Sequence, residues 1–169
     1  MKNMYLKQIF TVVAIVAFVS GCATFGKADS RWADYKGWTK VTEGRVSTGD
    51  PTGFIGTVHR GTAGYRDIFV NNIGLATNQG TAPYNYPIGS VVVKEQYKDK
   101  AAWEAQKSPD LTIMVKVGNS ATPSASNWAF AAGYTDKAGD NAFCSGCHTI
   151  ALKDDFVFTN EDFFKSHGN

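Results

Sequence analysis

Apolar and polar positions follow three successive patterns along this chain, and each predicts a different element. Residues 9–19 are almost wholly apolar and follow Lys2 and Lys7. That run is too short for a comfortable bilayer span and has the layout of an export signal. Within residues 30–39 the aromatics Trp32, Tyr35 and Trp38 recur at spacings of three, which predicts a short helix with rings along one side, weakened by Gly37. Such a stripe reads as core packing before it reads as a cofactor site. From Gly53 onward the pattern becomes that of strands between turn residues. Runs at 54–60 and 65–71 flank Gly61-Thr62-Ala63-Gly64, a hairpin loop. Residues 90–97 are rich in valine, and 111–117 set Leu111, Ile113 and Val115 against Thr112, Met114 and Lys116. Both are expected to be strands with one buried face. Residues 127–134, with Trp128, Phe130 and Tyr134, complete the set, and Pro83, Pro87, Pro109 and Pro123 fall between the runs. The expected fold is mainly β, an antiparallel sheet of about five strands with short helices.

The ends of the chain change that picture first. Val19-Ser20-Gly21-Cys22 resembles a bacterial lipobox, so residues 1–21 are expected to be a lipoprotein signal peptide and Cys22 the lipidated first residue of the mature chain. A non-lipidated signal cut nearby is the alternative, and either one exports the protein. The expected location is the periplasm or the outer membrane, with lipid as the sole membrane contact. Residues 22–29 then form a tether and 30–169 one domain. Removing 21 residues from 169 leaves 148, enough for one domain with a real core. The 17 basic residues fall to 15 without Lys2 and Lys7, against 15 acidic. A chain that near neutrality gives no reason to expect nucleic acid or an acidic polymer as partner.

Cysteine usage supplies the chemistry. With Cys22 assigned to lipid, Cys144 and Cys147 remain, too close together for a structural disulfide framework. They lie in Phe143-Cys144-Ser145-Gly146-Cys147-His148, a C-x-x-C-H sequence. In a helix, two thiols so spaced can add across the two vinyl groups of haem, and the following histidine binds the iron. A zinc site would need a fourth donor such as His59 or His167, and a thiol redox pair would want an alternating α/β chain. One covalently attached haem c, with His148 as iron ligand, is the reading that export also favours.

The far side of the iron is harder to fill. Only 21 residues follow His148 and none is methionine, which excludes the usual small electron-transfer layout. Met114 lies in an expected strand and reads as core. His59 reads as surface or structural, and His167 lies near the C-terminus. A vacant sixth position follows. Phe54 and Phe69, on the two strands of the expected first hairpin, are candidates to cap it, with ordinary core packing as the alternative. Arg60 and Arg66 are either surface residues or partners of a haem propionate.

Taken together, His59-Arg60-Gly61, Tyr65-Arg66-Asp67-Ile68-Phe69-Val70-Asn71, Pro87-Ile88-Gly89-Ser90-Val91-Val92-Val93-Lys94-Glu95, Ile113-Met114-Val115-Lys116, Trp128 and the C-x-x-C-H followed by Asp155-Phe156-Val157-Phe158 resemble the cytochrome P-460 family over about residues 53–160. The resemblance implies an antiparallel β fold, a homodimer and a five-coordinate haem c. It also implies one of two functional types. Members that oxidise hydroxylamine carry a lysine cross-linked to the haem rim, shortly after an Asn-Asp motif in the strand ahead of the Pro-x-Gly turn. The cytochromes c′-beta lack that link and bind nitric oxide or carbon monoxide beneath apolar rings. Here the matching stretch reads Asn71-Asn72-Ile73-Gly74-Leu75-Ala76, which puts Ala76 at the lysine position. Lys94 matches a lysine found across the family and is expected to be structural or at the surface. The reading favoured by the sequence is thus a lipid-anchored periplasmic cytochrome binding nitric oxide or carbon monoxide. A hydroxylamine-oxidising enzyme and an electron carrier with its own redox partner are the alternatives.

Overall fold

The computed structural model describes residues 27–46 and 64–166. Five strands form one antiparallel sheet in sequence order: β1 (Thr39–Val46), β2 (Tyr65–Val70), β3 (Val91–Tyr97), β4 (Asp110–Lys116) and β5 (Trp128–Ala131). The helices are short: α1 (Asn72–Asn78), α2 (Lys100–Glu104), α3 (Ala142–His148) and α4 (Glu161–Ser166). The mainly β expectation therefore holds, and four of the five strands fall where the residue pattern puts them.

Both faces of the sheet are covered, and this corrects the expectation of one buried face. Successive side chains on a strand point to opposite sides, so Ile68, Val70, Val92, Met114, Trp128 and Phe130 pack on one side with Tyr86, Phe156 and Val157. Phe69, Val91, Val93, Ile113 and Val115 pack on the other with Trp32 and Tyr35. We call these the α3 face, after the helix whose Cys144 packs against it, and the Trp32 face. Lys116, read from its alternation as outward, is 1% exposed. Strands buried on both sides lose the apolar–polar alternation that would mark a solvated face.

Two further corrections concern the N-terminal part. Residues 30–34 form turns and Tyr35–Gly37 a single 3-10 turn in place of the expected helix. Trp32 and Tyr35 are core residues all the same, as their spacing suggests. The indole N–H of Trp32 donates to the Tyr134 carbonyl at 2.8 Å, tying this segment to the chain beyond β5. Directly after the turn comes β1, which the residue pattern does not announce. It is an edge strand with register irregularities around Thr42, and Gly44 takes φ +58° under the indole of Trp103. The run at 54–60, expected to be the hairpin partner of β2, lies outside the described residues; the neighbours of β2 in the sheet are β1 and β3.

Asn71 joins the central strands to α1. Its side-chain oxygen accepts from the Gly74 and Val91 amides, at 3.1 Å each, and its amide donates to the Gly89 carbonyl at 2.9 Å. An asparagine N-cap of this kind satisfies otherwise orphaned donors and starts the helix where β2 stops.

Candidate functional site

Helix α3 is started by Asn141, whose side-chain oxygen accepts from the backbone N–H of Phe143 (3.1 Å) and Cys144 (3.0 Å). One turn separates Cys144 from Cys147, so the two thiols share a side of the helix, and His148 is its last residue. Both cysteines are half-buried. Burial pushes the Cys144 thiol up, against the lowering influence of the Lys94 charge.

His148 is oriented by the chain that follows it. A 3-10 segment, Thr149–Asp154, gives way to Asp155 and Phe156, at φ 50° and 66°. Two successive left-handed residues that are not glycine cost on the order of 1–3 kcal/mol each and persist where the surroundings over-determine them. Here the Phe156 amide donates to the Ala151 carbonyl at 2.7 Å. The Asp155 carboxylate accepts from the Lys116 ammonium (2.6 and 2.8 Å) and from the Tyr86 amide (2.8 Å). The turn delivers the Phe156 carbonyl to 2.6 Å from Nδ1 of His148. A carbonyl can only accept, so Nδ1 carries the proton and the basic lone pair is on Nε2. An imidazole held in that way is prepared for a metal. Phe130 and Phe158 flank the ring, at centroid distances of 5.3 and 4.5 Å.

On the sheet, the residues facing α3 are partly cationic. Lys94 on β3 is in register with Ile68 on β2 and so projects from the α3 face. Its ammonium is held down to about 8, by burial first and by the Arg66 guanidinium second, while Cys147 and Cys144 act in the opposite sense. Arg66, paired in register with Arg45, is brought to about 10 by burial and by that neighbouring charge. A lysine amine that is partly neutral near pH 8 can act as a nucleophile or proton acceptor, which an ordinary surface lysine does poorly at that pH.

The expected site residues thus divide. Cys144, Cys147 and His148 come together on one helix, and Arg66 is half-buried on the facing strand. Phe69 does not join them. It packs on the Trp32 face, edge-on to Tyr35 at 5.4 Å, because it is the odd member between Ile68 and Val70. Met114 packs in the core of the α3 face. Phe54, His59, Arg60, His167 and Cys22 lie outside the described residues. Ala76 is an exposed residue of a helix and not part of a strand ahead of the turn, and the lysine whose charge the thiols sense is Lys94. Lys94, expected to be structural or at the surface, is half-buried on the face turned to the thiols. One signal in the sequence pointed to it: a lone cation at a position in phase with Val92 in an otherwise buried strand. Phe130, Phe158 and the Lys116–Asp155 pair were also missed as parts of the site.

A β-sheet facing a helix that offers two reduced thiols and an imidazole with its Nδ1 proton engaged has the donor set of a haem-binding cytochrome. The family model for Cytochrome P-460 matches residues 32–159, and the chain belongs to that family. Haem is accordingly its cofactor and iron its metal. No curated protein matches the chain.

Proposed function

We propose that the protein is an exported haem c cytochrome that oxidises hydroxylamine or a similarly small nitrogen compound and passes the electrons to a redox partner. The observation that carries this reading is the placement of two cationic side chains, Lys94 and Arg66, in phase with Val92 and Ile68 on the sheet face turned toward Cys144 and Cys147, where burial pushes the Lys94 ammonium down. Lys94 stands at the residue matching a lysine found across the family, and the position aligned with the cross-linking lysine is held by Ala76. Cys144 and Cys147 would hold the haem by thioether bonds, and Nε2 of His148 would ligate the iron. When bound, the haem supplies a one-electron redox centre with an open coordination position. Arg66 and Lys94 would give that side of the site its polar character, orienting a substrate and, through the neutral amine, taking up its protons.

Binding of nitric oxide or carbon monoxide is the second reading. It is favoured by the apolar Ile68, Val92 and Met114 on the same face, since a dry surface favours uncharged diatomic ligands. The full chain, matured in an exporting host, separates these readings. Haem that survives acid-acetone extraction supports thioether attachment, and complete extraction refutes it. Turnover of hydroxylamine with an artificial oxidant, lost in Lys94→Met, supports the oxidase. A Soret shift with carbon monoxide and no turnover supports the gas-binding protein, and sharp low-spin bands indifferent to carbon monoxide support an electron carrier.

The proposal includes the N-terminal reading: signal removal before Cys22, acylation of Cys22 and tethering by at least two chains, since one acyl chain holds only marginally. Cys22→Ala should release the protein from the membrane fraction, and unchanged fractionation with an unacylated N-terminus would refute the anchor. A homodimer, as in the family resemblance, would appear as doubled mass in sedimentation of the detergent-free chain lacking its lipid.

A further inference from the structure

We infer that Lys116 and Asp155 are positioning residues for the iron ligand, acting on His148 through the turn they anchor. This rests on the reading of His148 as the axial ligand. The ion pair is enclosed: the side chain of Lys116 is 1% exposed and that of Asp155 9%. Burial of such a pair is poor evidence of stabilisation, because desolvation opposes the attraction, so its position calls for another explanation. Lys116 ends β4, where its backbone bonds to Ser90 and Gly89 fix it to the centre of the sheet. Its ammonium also lies 5.1 Å from the ring centre of Trp128. Asp155 is the first of the two left-handed residues, and its carboxylate binds both that ammonium and the Tyr86 amide. The next carbonyl, that of Phe156, is the one that holds Nδ1 of His148 at 2.6 Å. A rigid sheet is thereby connected to the histidine through one charge pair and one peptide unit. A firmly held acceptor on Nδ1–H makes the imidazole a stronger donor to the metal, which favours the oxidised iron.

The full-length haem protein tests this by two readouts that a merely structural role would leave alone: the reduction midpoint and the iron–histidine stretch of the ferrous state. In Lys116→Met the carboxylate loses its counter-charge and the carbonyl its anchor. The stretch should move to lower frequency, while the midpoint, on which the lost positive charge acts against the loosened hydrogen bond, should shift less than in Asp155→Asn. Asp155→Asn should also lower the stretch and, because the lost negative charge and the loosened bond both favour ferrous iron, move the balance about tenfold toward it, about 59 mV for a one-electron couple. It keeps a residue type tolerant of left-handed backbone and an acceptor for the Tyr86 amide, and it decides the question where the lysine variant does not accumulate. Folded, haem-loaded Asp155→Asn and Lys116→Met proteins with the wild-type midpoint and stretch would overturn the inference. An absent iron–histidine band in the wild type itself would instead overturn the reading of His148 as ligand.

Discussion

Lys94→Met should make the haem-free chain more stable and, in the haem-loaded protein, abolish the proposed hydroxylamine turnover. Methionine matches the length of the lysine stem and removes the charge that the buried position disfavours. The fall in the ammonium from 10.5 to about 8 is equivalent to about 3 kcal/mol, at about 1.36 kcal/mol for each tenfold change in acidity. Relaxation and water entry reduce the measurable gain, so we expect about 2 kcal/mol at pH 7. The pH dependence follows from the same shift. Between about 8 and 10.5 the unfolded chain keeps a proton that the folded chain has released. Unfolding therefore takes up a proton, and the stability of the wild type rises with pH across that window. The variant has no such group, so the gap between the two should narrow to about half by pH 9.5. Tyr35, Tyr86 and Tyr97, whose hydroxyls burial pushes far up, titrate alike in both chains and cancel in the difference. Urea unfolding of the reduced, haem-free domain at pH 7 and pH 9.5 measures both quantities. A variant less stable than the wild type at pH 7, or a gap that stays constant with pH, would refute the placement of a desolvated ammonium at this site.

Asn141→Ala removes the cap of α3 and should cost about 1 kcal/mol in thermal or urea unfolding, with a lower yield of attached haem. Phe69→Leu should cost about 1 kcal/mol and leave the Soret band unchanged, because the ring lies on the Trp32 face; a displaced Soret band would return Phe69 to the haem side. Gly44→Ala puts a Cβ into the Trp103 indole at a backbone φ of +58°. Strain and overlap together should cost about 2–4 kcal/mol in urea unfolding, whereas Gly37→Ala, which meets nothing within 4 Å, should be close to neutral.

What was legible in the sequence divides along a physical line. Strands β2 to β5 announce themselves because β-branched and aromatic residues cluster between proline-bearing turns, and α3 because cysteine and histidine have few reasons to occur at that spacing. Edge strand β1 does not, since Lys40, Thr42, Glu43 and Arg45 give it no apolar periodicity. The short helix α1 hides behind Asn71, which serves equally well in a turn and at a helix N-terminus. Side assignment failed for a different reason. Alternation tells which residues share a side of a strand, but which side is wet is a tertiary fact, and here neither is. Lys116 is therefore expected to point outward, because polar residues usually do.

Lys94 and Lys116 project toward the same chemistry. Lys94 stands on the sheet opposite the thiols, and Lys116 anchors the turn behind the histidine. Local rules are expected to fail where a fold gives up stability for function, and the failure at Lys116 lies behind the helix that Lys94 faces. A buried ion pair that serves only the core is replaceable as a pair by hydrophobic residues at little cost, whereas removal of one partner leaves an uncompensated charge. A buried pair and a half-buried lysine flanking the same C-x-x-C-H helix are better explained by what that helix holds. This is why the two methionine variants are informative together: Lys94→Met should leave the iron–histidine stretch in place while removing the proposed turnover, and Lys116→Met should shift the stretch first. The opposite pattern would mean that the roles of the two lysines are exchanged.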